Sequence, residues 1–166
     1  MVKEEKRLTW DEVFMKEAII WAEQSRCVGY KVGAVIARDK QPLSVGYNGP
    51  VRGDVHCTEV GCAKIKDGIR LPPGSGCCRG AHGEMNAISN AANIGVPIKG
   101  GTLYITMRPC FDCSKHVINA GITRVVYLEE YFEEPAAIAL MKKVGVDLVK
   151  FDTISDLKFN FKSKRG

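Results

Sequence analysis

Beyond residue 100 the chain repeats one pattern, in which short apolar runs alternate with segments of helical spacing. "GTLYIT" (101–106), "ITRVVYL" (122–128) and "VDLVKF" (146–151) read as strands, and residues 110–120 and 134–144 between them read as helices. A helix joining two strands of one sheet returns the chain by a right-handed crossover, which sets those strands parallel. This pattern excludes an all-helical bundle and an all-β sandwich. Upstream, residues 83–94 form a further helical segment, and "KVGAVIAR" and "PLSVGYN" flank the turn-prone "RDKQ" as a β-hairpin. Nearer the N-terminus, Thr9 and Glu12 make a capping box, and Trp10, Val13, Phe14, Ala18, Trp21 and Ala22 recur at helical spacing. A helix over 10–25 follows. The expected fold is a three-layer αβα domain whose five-stranded sheet is mixed but mainly parallel, with helices on both faces. A chain of 166 residues suits one such domain, 1–166, with a tail over 152–166.

Residues 48–80 break the pattern. They are rich in Gly, Pro and Cys and show little sustained periodicity. A loop of that length inside a compact domain is usually functional or disordered, and something other than a core has to order it. The seven cysteines, at 27, 57, 62, 77, 78, 110 and 113, bear on what that is. "MVKEEKRLTWDEV" is charged where a secretory segment needs an apolar run, and no apolar run is long enough to span a bilayer. A cytoplasmic chain is therefore expected. Its thiols stay reduced, and clustered cysteines read as metal ligands rather than disulfides. The formal charge of +5 is concentrated in the C-terminal "KFNFKSKRG"; it admits an anionic ligand without marking a nucleic-acid-binding protein.

Two short motifs carry chemistry. In "AHGEMNAI" (81–88), His82, one of only three histidines, stands two residues before Glu84 at a helix start. In "RPCFDC" (108–113), Cys110 and Cys113 have the spacing at which two thiolates grip one tetrahedral zinc, again at a helix start where free N–H groups favour anions. If the two helix starts lie side by side, His82, Cys110 and Cys113 converge as three ligands. Three protein ligands leave zinc one open position, the mark of a catalytic site. Glu84 can then reach that position without occupying it and carry protons between water and a leaving nitrogen. C-x-x-C alone fits a zinc ribbon or a redox pair equally well. The combination H-x-E with P-C-x-x-C is the signature of zinc deaminases.

At these residues the chain resembles the zinc-dependent cytidine deaminase superfamily and, within it, the deoxycytidylate (dCMP) deaminases. The resemblance runs through about residues 9–150, on "KVGAVI", "GYNG", "HGEMNAI", "TLYITMRPCFDC", "INAGITRVVY" and the tyrosine of "EEY". Gly83 stands where the family usually has alanine. The resemblance implies a zinc bound by His82, Cys110 and Cys113, with Glu84 as proton shuttle in the conversion of dCMP to dUMP and ammonia. It also implies that Asn48 bonds the substrate and that Tyr131 closes over it. Lys31, Arg52 and Arg79 are open candidates for the 5′-phosphate. The resemblance further implies a second, structural zinc on Cys27, Cys57, Cys62 and Cys77, with Cys78 and His56 as ambiguous neighbours. Regulation by dCTP and dTTP near Gly46, Tyr47 and Gly49, and a homo-oligomer, most simply a hexamer, belong to the same expectation. Competing readings are a tRNA adenosine-type deaminase, a deaminase of free nucleosides or bases, and a non-enzymatic zinc module.

Overall fold

The computed structural model describes residues 7–72, 75, 78–130 and 134–152. Helix α1 spans Trp10–Ala22 behind the expected capping box: Thr9 Oγ1 accepts from the Glu12 N–H at 3.2 Å, and Glu12 accepts from the Thr9 N–H at 2.6 Å. It ends three residues earlier than its spacing suggests. Ser25 is drawn out of the helix because its hydroxyl donates to the Asn48 carbonyl at 2.8 Å. Strands β1 (Gly33–Arg38) and β2 (Gln41–Tyr47) form the predicted hairpin, closed by Asp39 and Lys40, both at positive φ. That two-residue turn matches the natural twist of paired strands.

The second half follows the predicted alternation. Helix α3 covers Gly83–Ile94, β7 Thr102–Met107, α4 Phe111–Asn119, β8 Arg124–Glu129, α5 Pro135–Lys143 and β9 Asp147–Lys150. The five long strands form one sheet in the order β2-β1-β7-β8-β9. The β7–β8 and β8–β9 pairs are parallel, whereas β1 is antiparallel to both β2 and β7. The sheet is thus mixed and mainly parallel, as expected: β2, β7, β8 and β9 run one way and β1 alone is reversed. The hairpin reverses β1 relative to β2, and the α3 crossover returns β7 in the direction of β2.

Alternation along each strand separates two cores. Ala34, Ile36, Leu103, Ile105, Val125 and Tyr127 face one side, under α3, α4 and α5. Val35, Ala37, Tyr104 and Val126 face the other, against Phe14, Met15, Ala18 and Ile19 of α1. Two glycines let helix and sheet approach closely. A Cβ on Gly33 would sit 2.0 Å from the Ala18 carbonyl oxygen, and one on Gly46 2.3 Å from the Ala87 nitrogen.

The stretch 48–80 is not a plain loop. It contains β3 (Gly49–Pro50), the short helix α2 (Cys57–Val60), a hairpin of β4 (Ile65–Lys66) and β5 (Ile69–Arg70), and β6 (Gly80–Ala81) paired to β3. Asp67 and Gly68 close the hairpin at positive φ, the Asp-Gly turn that such hairpins favour.

Candidate active site

The site forms where two helices begin beside the carboxyl ends of β7 and β8, the usual place for ligands in open α/β sheets. His82 is the N-cap of α3 and Cys110 the N-cap of α4. Arg108 leaves β7 with its N–H bonded to the Glu129 carbonyl at 2.8 Å, so β8 fixes where the cysteine turn starts. Pro109 is fully buried. Phe111, the first residue of α4, donates its N–H to the Glu134 carboxylate at 2.6 Å, which ties the start of α5 to the same turn.

His82, Cys110 and Cys113 converge as the sequence predicts. Their donor atoms lie within 4.8 Å of one another. His82 Nδ1 is 3.6 Å from Cys110 Sγ and 3.3 Å from Cys113 Sγ. Tetrahedral zinc with bonds of about 2.3 Å to sulfur and about 2.0 Å to nitrogen sets such atoms about 3.6 Å apart. The donor set therefore fits the ion in type and in spacing.

The electrostatics agree. Hydrogen bonding from Cys113, then the neighbouring His82, brings the Cys110 thiol down to about 4. Its hydrogen bond to Cys110, burial and the Glu84 charge drive Cys113 the other way, far above the usual thiol range. The hydrogen bond to Cys110 also raises His82.

Glu84, at the second position of α3, is only 3% exposed. Burial pushes its carboxyl up to about 7, against the lowering pull of the nearby His82. A carboxyl that both gains and loses a proton near neutrality suits general acid–base work.

One cavity connects this cluster to the cysteine-rich insertion. Its wall includes His82, Glu84 and Cys110 at one end and Cys27, Cys57, Cys62 and Cys78 at the other. The thiols of Cys27, Cys62 and Cys78 each act on Cys57, although burial is the main reason its thiol is raised. The Gly29 and Gly80 N–H groups donate to Cys27 and Cys78 Sγ, each at 3.4 Å. Cys77, like Tyr131, lies outside the described residues. His56 is exposed, caps α2 and is not on the cavity wall.

Asn48 lines the cavity, and both ends of its amide are engaged. Oδ1 accepts from the Val32 N–H and Nδ2 donates to the Tyr30 carbonyl, each at 2.8 Å. One lone pair and one N–H remain for a ligand. Gly49 is on the wall as well. Gly46 is buried against α3, and Tyr47 stacks on Trp21 with ring centroids 6.3 Å apart. Lys31 is ion-paired to Glu23 at 2.9 Å, and Arg52 is exposed away from the cavity, whereas Arg79 is on its wall. Three further cationic wall residues, Lys64, Arg70 and Arg108, escape the sequence reading. The "KDGI" turn that brings Lys64 and Arg70 there was the available signal.

Residues 8–129 match the family described as the cytidine and deoxycytidylate deaminase zinc-binding region. ComE operon protein 2 of Bacillus subtilis is 41% identical over 155 residues, covering 92% of this chain and 78% of that protein. The deoxycytidylate deaminase of Saccharomyces cerevisiae is 33% identical over 145 residues, covering 87% of this chain but 46% of the yeast protein. Among solved structures, the dCMP deaminase of cyanophage S-TIM5 in complex with dCMP and dUMP superposes with a TM-score of 0.73. It is 29% identical and covers 89% of this chain and all of that one. Sequence match, architecture and the converging His-Cys-Cys cluster agree: the chain belongs to the cytidine and deoxycytidylate deaminase family of zinc-binding proteins.

Proposed function

We propose that this chain hydrolyses dCMP to dUMP and ammonia. The observation that carries the reading is a buried, protonatable Glu84 set beside the converged His82, Cys110 and Cys113. The names of the yeast relative and of the dCMP-bound phage structure support dCMP as the substrate. His82, Cys110 and Cys113 would hold a zinc ion, which would supply a water activated by a pKa lowered towards about 7.

The chain's own residues do the rest. A Glu84 carboxylate oxygen takes the proton from the water that adds to the cytosine ring and hands it to the departing amino nitrogen. Burial of Glu84 keeps bulk water from competing for that proton. The free lone pair and N–H of Asn48 hold the substrate, and Tyr131 is assigned to close over it.

The same reading includes a second, structural zinc on Cys27, Cys57, Cys62 and Cys77, with Cys78, which is on the cavity wall, and His56 as the alternatives to Cys62. It includes dCTP and dTTP as effectors near Gly46, Tyr47 and Gly49, a homo-oligomer with the hexamer favoured, and a cytoplasmic enzyme serving thymidylate supply. Among the described residues no helix is long and apolar enough to cross a membrane.

The deciding experiment is ammonia release from dCMP by the zinc-loaded protein beside Glu84→Gln. The substitution keeps volume and zinc but removes the proton carrier, so kcat should fall by about 10²–10⁴. Equal turnover by both proteins would remove Glu84 from the reaction.

A further inference from the structure

Helix α4 begins with an unusual cap. An α-helix leaves its first N–H groups without intrahelical partners, and an oxygen of Ser, Thr, Asp or Asn at the N-cap commonly accepts from one of them. Here the N-cap is Cys110, and its sulfur accepts from the Cys113 N–H at 3.5 Å. Sulfur is a poorer acceptor than oxygen, and a sulfur that ligates a metal has still less to give the helix. Asp112, the carboxylate in α4's own first turn, is turned to Lys115 at 2.6 Å.

The N–H of Phe111, the first residue of the helix, is satisfied from another element. Glu134 Oε2 accepts it at 2.6 Å, across 23 residues of chain. Glu134 is the N-cap of α5, yet its side chain makes no cap bond there. Its own helix asks less of it. Pro135, at the first position, has no N–H, and the Glu134 carbonyl takes the Ala137 and Ile138 N–H groups at 3.1 and 3.4 Å. Two bonds from Arg108 fix where that carboxylate stands: Nη1 donates to the Glu134 carbonyl at 3.5 Å, and the backbone N–H to the Glu129 carbonyl at 2.8 Å. Both ends of the β8–α5 connection are thus held on the turn that carries Cys110.

We infer that Glu134 is a positioning residue of the metal turn: its carboxylate caps α4 in place of Cys110 and leaves the Cys110 sulfur to face His82 and Cys113. It acts through the Phe111 N–H, one peptide away from the Cys110 ligand. Without that acceptor the free N–H groups of α4 compete for the sulfur, and the three donors are held less firmly. Groups that orient metal ligands in this way typically contribute about 10–100-fold to metal affinity or activity. The inference concerns the His82, Cys110 and Cys113 site itself; only its kinetic consequence rests on the dCMP reading.

The test uses the full chain with Glu134→Ser and Glu134→Gln. Serine caps α5 well but is too short to reach Phe111, whereas glutamine keeps an acceptor oxygen at the same reach. Zinc is titrated against a chelator, and occupancy is read from the imidazole NMR signals of His82, one of three histidines in the chain and the one in the converged cluster. Glu134→Ser should bind zinc there about 10–100-fold more weakly, and Glu134→Gln should recover most of the loss. On dCMP, kcat should fall in Glu134→Ser with KM little changed, because no substrate contact is removed. If Glu134→Ser does not fold, Glu134→Met, with glutamine's length and no oxygen acceptor, takes its place. Wild-type zinc affinity in the serine or methionine variant would overturn the inference, and so would a loss of equal size in Glu134→Gln. A wild type that binds zinc at His82 but releases no ammonia from dCMP would overturn the proposed reaction, and the zinc affinities would still decide for or against Glu134.

Discussion

Gly83 lies between a metal-ligand candidate and the buried carboxylate, at the first position of α3. A Cβ there would meet Val32 Cγ1 at 3.4 Å, the Val32 carbonyl oxygen at 3.5 Å and Ala34 Cβ at 3.7 Å, all ordinary van der Waals contacts. Its φ is not in the left-handed region, so nothing in the backbone requires glycine. Gly83→Ala should therefore stabilise the fold by about 0.4–1 kcal/mol, chiefly by restricting the unfolded chain. Urea unfolding with zinc bound checks this, and a lower midpoint would show that the Val32 contact is already at its limit. Gly46 gives the opposite case: a Cβ at 2.3–2.4 Å from the Ala87 nitrogen and Gly83 carbonyl oxygen has nowhere to go. Side chains at such points are dictated by neighbours distant in sequence. The H-x-E and P-C-x-x-C motifs could be read directly because their spacing is itself the chemistry. The two hydrogen bonds that tie Asn48 to Tyr30 and Val32 could not, since they span 18 and 16 residues between segments that no local pattern pairs.

The long helices and the central strands were readable for a related reason: each repeats its pattern often enough to declare a period. The insertion was not. Its strands β3, β4, β5 and β6 are two residues each, too short to alternate, and α2 is a single turn. Only the Asp-Gly dipeptide announced the hairpin. Cys27, Cys57, Cys62 and Cys78 line the cavity beside these fragments, a grouping that composition suggests but spacing alone does not pair. The proposed structural zinc makes this testable. Cys57 is buried at the start of α2 and is the cysteine on which Cys27, Cys62 and Cys78 all act. Cys57→Ser should lower bound zinc from about two ions per chain to about one, because a closed structural site needs its fourth ligand. It should also open residues 48–80 to limited proteolysis while leaving the sheet strands protected from hydrogen exchange. Two zincs retained in the variant, or one in the wild type, would count against the second site. The Cys110 end of the cavity supplies an internal control, since its donors belong to α3 and α4.

At the scale of the molecule, α1 is the brace between the two ends of the sheet. Its last turn lies against Gly33 and passes the chain to Cys27 on the cavity wall; its first turn reaches the amino end of β8. There Asp11 accepts two bonds from Arg124, at 2.9 and 2.8 Å, and one from the Tyr104 hydroxyl at 2.7 Å, while Arg124 also reaches Asp147 at 3.3 Å. The Arg124 bonds hold the Asp11 carboxyl below the usual carboxylate range, with burial opposing them. A group depressed on folding stabilises the native state above its unfolded pKa, about 3.9, and that contribution is lost as the pH falls through the folded value. The pair is about one-third exposed, at 30% and 32%, so solvent screening limits its worth. Asp11→Asn, which keeps the shape and loses the charge, should cost roughly 1 kcal/mol at pH 7. The gap between wild type and variant should close below about pH 4, as Asp11 itself takes up a proton. Because the clamp sits at the opposite end of the strands from His82 and Glu84, kcat on dCMP should not change. Urea unfolding of both proteins across pH 3 to 7 measures the gap. A difference that persists undiminished at pH 3 would mean that the carboxylate charge is not what fastens α1 to the sheet.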